Sequence, residues 1–262
     1  MVTIVVYIPK GGTGKTTITS NLLAGLNFCY PNTKALALDL SPEGHLTYLL
    51  HENPDMVNSE KSVCRLFLDE HYKESDLCQP SRLEHVDIVP STLYLGELNL
   101  NSKLSSNHFI IKEFLARVKC KYDFVLIDSP TVFTFYLLNG LVAADYLLIP
   151  SLLTPMSSHA IHDMLALYEN VKKENSKLKI LGILPNRVNK KLDYQKEILD
   201  TLKTSSFKGK LLDEMSISED KAVLKAVAKR KTIFEMNGKS NSQREFKKLT
   251  DWLFGQCVGT TP

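Results

Sequence analysis

The eight residues Lys10-Gly11-Gly12-Thr13-Gly14-Lys15-Thr16-Thr17 constrain this chain more than any other stretch. They follow an apolar run over residues 3–8 and open into residues 18–26, where apolar side chains recur at helical spacing. The order is therefore strand, glycine loop, helix. Three glycines let successive backbone N–H groups converge on phosphate oxygens, and the helix N-terminus adds partial positive charge. Lys15 is long enough to reach terminal phosphates, and the Thr16 hydroxyl suits Mg²⁺. A plain glycine turn with two incidental lysines would explain the turn but not the coincidence of these residue types at this spacing. The stretch predicts a nucleotide-phosphate site.

The rest of the sequence alternates buried-type strands with amphipathic helices. Strands are expected over residues 34–39, 86–90, 122–128, 146–150 and 178–184, and helices over 63–68, 109–118 and 158–171. Residues 51–80 are otherwise polar and poorly periodic. This alternation predicts an α/β fold with a mostly parallel, twisted sheet covered by helices on both faces. In such sheets ligands sit beyond the C-terminal strand ends, where the glycine loop, Asp39 and Asp128 all fall. At 262 residues, with no Pro/Gly/Ser-rich linker, residues 1–262 are expected to form a single domain.

Composition narrows the setting. Hydrophobic residues make up 44% and charged residues 23%, and no apolar run approaches the ~18–20 residues of a membrane span. Met1 leads straight into a strand-like run without a signal segment, so a cytoplasmic location is expected. The five cysteines, Cys29, Cys64, Cys78, Cys120 and Cys257, are scattered without a C-x-x-C pair, as in a reducing compartment, and offer no zinc or cluster site.

The string Lys-Gly-Gly-Thr-Gly-Lys-Thr resembles the deviant Walker A motif of the ParA/MinD family of P-loop ATPases, most closely its ParA/Soj-type DNA partition members. Pro9 stands where the ordinary phosphate loop has glycine, and Lys10 is the family's second lysine. The resemblance implies ATP or ADP with Mg²⁺, held by Gly11, Gly12, Thr13, Gly14, Lys15, Thr16 and Thr17. It also implies that Lys10 crosses to the other subunit's phosphates in an ATP-bound homodimer, acting like an arginine finger. Residues 122–130 resemble the Walker B segment, and Asp128 with Thr16 would supply the protein oxygens of a Mg²⁺ site.

Asp39-Leu40-Ser41-Pro42-Glu43 resembles the family's switch motif, whose usual form is Asp-x-Asp-Pro-Gln. Asp39 matches the first aspartate, which the resemblance assigns to the metal waters and the loop lysine. Ser41 replaces the second, which orients the attacking water. A serine cannot be an anionic base, so three readings stand: Ser41 positions water and turnover is slow, Glu43 supplies the carboxylate, or ATP acts as a switch without useful turnover. Slow hydrolysis is the expectation. Asn186 resembles the family's contact to the nucleotide base, although a loop asparagine capping the next helix would look the same.

Formal net charge is only +3, but nine basic residues against three acidic ones fall between Lys221 and Pro262. Lys221, Lys225 and Lys229 share one face of an expected helix, with Val223, Leu224, Val227 and Ala228 on another, and Arg230 and Lys231 extend the positive surface. Such a stripe can neutralise backbone phosphates without reading sequence, and the resemblance implies non-specific DNA as partner. A last helix over 242–254 carries Phe246, Leu249, Trp252 and Leu253, expected to dock on the sheet rather than on a membrane. The combined expectation is a partition ATPase of plasmid or chromosome, nucleoid-associated, with slow hydrolysis stimulated by a ParB-like centromere-binding protein. A hydrolysis-impaired DNA-binding switch and a MinD-like membrane-positioning ATPase are the alternatives.

Overall fold

The computed structural model describes residues 1–68, 71–98, 107–205, 207–238 and 240–258. Lys239, one of the late basic residues, lies outside them. Among the described residues seven strands, β1 (Val2–Val6), β2 (Ala35–Asp39), β3 (Gln79–Pro80), β4 (Val86–Val89), β5 (Phe124–Asp128), β6 (Tyr146–Leu152) and β7 (Lys179–Asn186), form one sheet. Their order is β3-β4-β2-β5-β1-β6-β7, parallel throughout except for the antiparallel edge pair β3–β4. The expected mostly parallel α/β sheet is thus observed.

Side-chain alternation along the strands builds two cores, one on each face. Ile4 and Val6, Ala35 and Ala37, and Phe124 and Leu126 enter one. Val5, Leu36 and Leu38, and Val125 and Ile127 enter the other. Residues buried on both faces read as the continuous apolar runs of central parallel strands.

The helices are α1 (Lys15–Cys29), α2 (His45–Leu50), α3 (Cys64–Leu68), α4 (Glu74–Leu77), α5 (Tyr94–Leu98), α6 (Ile110–Val118), α7 (Phe135–Ala143), α8 (Ser157–Val171), α9 (Asp193–Thr204), α10 (Lys221–Ala228) and α11 (Asn241–Val258). α1, α2 and α11 cover the first core, and α3 and α5 to α9 the second. The sequence gives little sign of α7: it is apolar nearly all round, so it lacks the amphipathic period by which a half-exposed helix is read.

Two expectations change at the end of the chain. α11 runs to Val258, four residues past the expected end, and buries Phe246, Leu249 and Leu253 against α1 and the sheet. In α10 the inward edge is Ala222, Val223, Ala226 and Val227, whereas Leu224 is 67% exposed and Ala228 is also turned outward. No helix among the described residues is long and apolar enough to cross a membrane.

Gly25 of α1 sets the approach of α11. A Cβ there would lie 2.2 Å from Thr250 Oγ1, far inside contact distance, and both flanks are buried core. Gly25→Val is expected to lower unfolding free energy by about 2 kcal/mol in urea denaturation, the scale of core overpacking. An unchanged midpoint would contradict this packing.

Candidate nucleotide-phosphate site

Five neighbouring parallel strands deliver their C-terminal ends to one edge of the sheet. β1 leads into the glycine loop, β2 ends on Asp39 and continues to Ser41, and β5 ends on Asp128 and continues to Thr131. β6 leads to Thr154, and β7 ends on Asn186. The structure therefore brings the loop, both aspartates, Ser41 and Asn186 together. The loop, Ser41 and Asn186 line a cavity of about 840 Å³ that runs from the loop to the underside of α10, and the two aspartates are buried.

The loop has the backbone its glycines require. Gly12 and Gly14 have φ of 70° and 89°, in the left-handed region where a side chain is strained. At Gly14 a Cβ would also meet Asn186 Nδ2 at 2.3 Å. That close approach lets the buried Asn186 amide donate to the Thr13 carbonyl at 2.7 Å, so Asn186 braces the loop from β7. Its place on the cavity wall also leaves it beside any group bound there. Arg187, also at positive φ, pairs with Glu219 at 3.8 Å.

The two lysines are held differently. Lys15, buried, donates to the Lys10 carbonyl at 3.2 Å and to Thr131 Oγ1 at 3.4 Å. Burial lowers its pKa, opposed by the negative charges of Asp128 and Glu43. Lys10 sits at the loop's entrance, half-buried, with Nζ donating to Thr154 Oγ1 at 3.0 Å. Thr131 and Thr154 carry no sequence signal of their own. They lie in loops more than a hundred residues from the lysines, and a loop threonine has neither period nor motif.

Asp39 and Asp128 are register partners on adjacent strands and both are fully buried. Burial raises the pKa of each, and for Asp128 the neighbouring Asp39 adds to the rise. Asp39 is well supplied with donors: Thr47 N at 2.8 Å and Thr47 Oγ1 at 2.7 Å to Oδ2, and Ser41 N at 3.0 Å to Oδ1. Asp128 accepts from Thr16 Oγ1 at 2.6 Å through Oδ2, while among the described residues its buried Oδ1 has no hydrogen-bond partner. An orphaned buried carboxylate oxygen beside a hydroxyl is the donor set a hard cation takes. Thr16 and Asp128 therefore fit Mg²⁺. With its oxygens already accepting from protein donors, Asp39 is less open to a cation than Asp128. No group of three or more His, Cys, Asp or Glu among the described residues could hold a metal alone, so phosphate and water oxygens would complete the shell.

Ser41 is buried at the cavity wall and its hydroxyl bonds the Glu43 carboxylate. At the far end of the cavity Val223, Leu224 and Val227 of α10 form the wall. The structure separates Arg230 from the exposed lysines. Its guanidinium lies over the Tyr48 ring and donates to the carbonyls of Tyr48 and His51, each at 2.9 Å. Arg82 grips the Arg230 carbonyl and pairs with Glu235. Arg230 thus fastens the end of α10 to α2, while Lys221, Lys225, Lys229 and Lys231 remain exposed.

Residues 1–180 match a family model described as an AAA domain. A ParA family protein of Chlamydia pneumoniae is 27% identical over 256 residues, covering 97% of this chain and 97% of that protein. The fold is similar to that of apo McdA from Cyanothece, with a TM-score of 0.81 at 23% identity over 97% of this chain and 99% of that one. A complex of McdA with ATP gives a TM-score of 0.80 at 22% identity, covering 100% and 98%. A plasmid partition protein from Borrelia burgdorferi gives 0.75 at 21% identity, covering 97% and 98%.

The raised pKa of Asp128 has a definite sign for stability. An acid whose folded-state pKa lies above its unfolded value contributes stability at low pH that is lost as pH rises through the folded value. The ligand-free chain should therefore weaken between the ordinary carboxylate value of 3.8 and about 7. Asp128→Asn is expected to raise unfolding free energy at pH 8 by on the order of 2 kcal/mol and to flatten that pH dependence. A variant less stable than the parent at pH 8 would contradict it.

Proposed function

The chain belongs to the AAA-domain family and, within it, to the ParA/MinD group of P-loop ATPases, and from that premise we propose that it is a ParA-type DNA partition ATPase. MgATP closes a homodimer, the dimer binds DNA non-specifically, and a ParB-like centromere-binding partner stimulates slow hydrolysis that releases it. The observation that carries this reading is the double use of α10. Its inner wall bounds the cavity that begins at the phosphate loop, Lys221 stands exposed at the cavity's rim, and Lys225 and Lys229 face solvent outside it. One eight-residue helix joins the nucleotide to a positive surface.

In this reading the backbone N–H groups of Gly11, Gly12, Thr13 and Gly14 receive the phosphates, and Lys15 turns from Thr131 to them. Thr16 and Asp128 would hold Mg²⁺, which would neutralise charge developing on phosphate oxygens. Asn186 meets the base from the cavity wall, and Asp39 orders the oxygens around Asp128. Ser41, uncharged, leaves hydrolysis slow. Lys10 exchanges Thr154 for the other subunit's phosphates. Val132 and Met156, 69% and 63% exposed, directly follow Thr131 and precede α8 near Thr154, apolar surface that a second copy would cover. Lys231 extends the DNA surface. Arg230 is left to hold α10, and the protein localises with the nucleoid.

Two measurements test this. In sedimentation velocity with Mg²⁺ and a non-hydrolysed ATP analogue, the protein is expected to dimerise and Lys10→Ala to remain monomeric. A dimer indifferent to nucleotide would overturn the role of Lys10. In gel shifts across a salt series, Lys225→Ala with Lys229→Ala should weaken DNA binding on every sequence and reduce the slope of log K against log salt by about 2. Equal affinity and slope in the parent and the double variant would reject the lysine face.

A further inference from the structure

The loop after β2 holds an arrangement that bears on the hydrolytic step, and its interpretation rests on the ATPase reading above. Ser41 N is pinned to Asp39 Oδ1 at 3.0 Å, so the backbone of Ser41 is fixed to the buried end of the strand. The chain then turns over Ser41–Gly44, closed by Gly44 N–H donating to the Ser41 carbonyl at 2.9 Å, and within that turn the Glu43 carboxylate bonds the Ser41 hydroxyl. Both residues line the cavity together with Lys15 and Thr16.

A serine hydroxyl has one proton and two lone pairs, and an ionised carboxylate only accepts. The Ser41 bond, first among its influences, lowers the Glu43 pKa, so the carboxylate is anionic at neutral pH and Ser41 must be the donor. With its single proton committed to Glu43, Ser41 presents lone pairs, not a proton, to the cavity. Its rotor is set as an acceptor, which is what a water poised for attack requires of its neighbour.

We propose that Glu43 is a positioning residue for ATP hydrolysis, holding the Ser41 hydroxyl as the acceptor that orients the attacking water. As the water oxygen bonds the γ-phosphorus, the bond from that phosphorus to the ADP oxygen breaks. The water's proton passes to Ser41 Oγ, and the proton Ser41 already shares passes to Glu43, which returns it to solvent. Two side chains together do the work of one carboxylate, with the charge placed one hydrogen bond further from the phosphate.

The test is a cycle of variants read by single-turnover ATP hydrolysis and, separately, by affinity for a fluorescent ATP analogue. Glu43→Gln is expected to slow hydrolysis by about 10- to 100-fold while affinity stays within about threefold. Ser41→Asp is expected to speed it, because a carboxylate at that place accepts without help. On the Ser41→Asp background Glu43→Gln should cost nothing, since its partner hydroxyl is gone; a general structural role would not switch off in this way. The proposal is overturned if Glu43→Gln leaves the parent rate unchanged, or slows both backgrounds equally. Lys15→Ala separates the layers. If it abolishes hydrolysis while Glu43→Gln does not slow it, this proposal alone fails; if the parent binds ATP and forms no ADP with or without DNA, the ATPase reading fails with it.

Discussion

The parallel register of β2 and β5 sets Asp39 directly beside Asp128 at the buried edge of the sheet, and the rest of the site is arranged around that pair. Two carboxylates taken out of water next to each other are costly unless donors or a cation compensate them. The chain supplies donors unequally. Asp39 is wrapped by Thr47 and the Ser41 amide, whereas Asp128 is left with one hydroxyl and one empty oxygen. That asymmetry leaves Asp128 better suited than Asp39 to take a cation. It also means that the ligand-free fold carries a strain that binding relieves, the ordinary bargain of a site kept ready for charge.

From the same pair a continuous set of contacts leads away from the phosphate loop. Asp39 anchors both Ser41 and Thr47, and Thr47 lies within α2. α2 carries Tyr48, whose ring and carbonyl hold Arg230 at the end of α10. Arg230 adopts φ of 52°, a conformation that costs a non-glycine residue about 1–2 kcal/mol, and the contacts to α2 and Arg82 offset it. The lysine face is therefore tied to the loop that surrounds the nucleotide cavity through packed side chains and hydrogen bonds.

How much of this the sequence disclosed follows from where each signal resides. The glycine loop and the aspartate-ended strands were legible because their chemistry demands particular residues at consecutive positions. The mostly parallel sheet followed from continuous apolar runs alternating with amphipathic helices, whereas its strand order became visible only in the fold. Thr131 and Thr154 were not legible, because only the fold brings them to Lys15 and Lys10. Arg230 read as one more cation in a basic run, since a charge count does not record that a guanidinium can be consumed by backbone carbonyls. Leu224 looked like core by spacing, yet α10 lies shallowly enough that only its Ala222–Val227 edge is covered. The pairing of Ser41 with Glu43 was not among the three readings of that loop; it is made within the turn that Gly44 N–H closes on the Ser41 carbonyl.

The central claim is that the loop's nucleotide joins two subunits, with Lys10 as the group that changes partners. A crystal structure with MgATP bound tests it most directly. The expected result is a two-fold dimer in which Lys10 Nζ has left Thr154 and contacts the phosphates of the nucleotide held by the partner subunit, while Thr16 and Asp128 have parted to admit the metal. A nucleotide-loaded monomer with Lys10 still on its own Thr154 would contradict it.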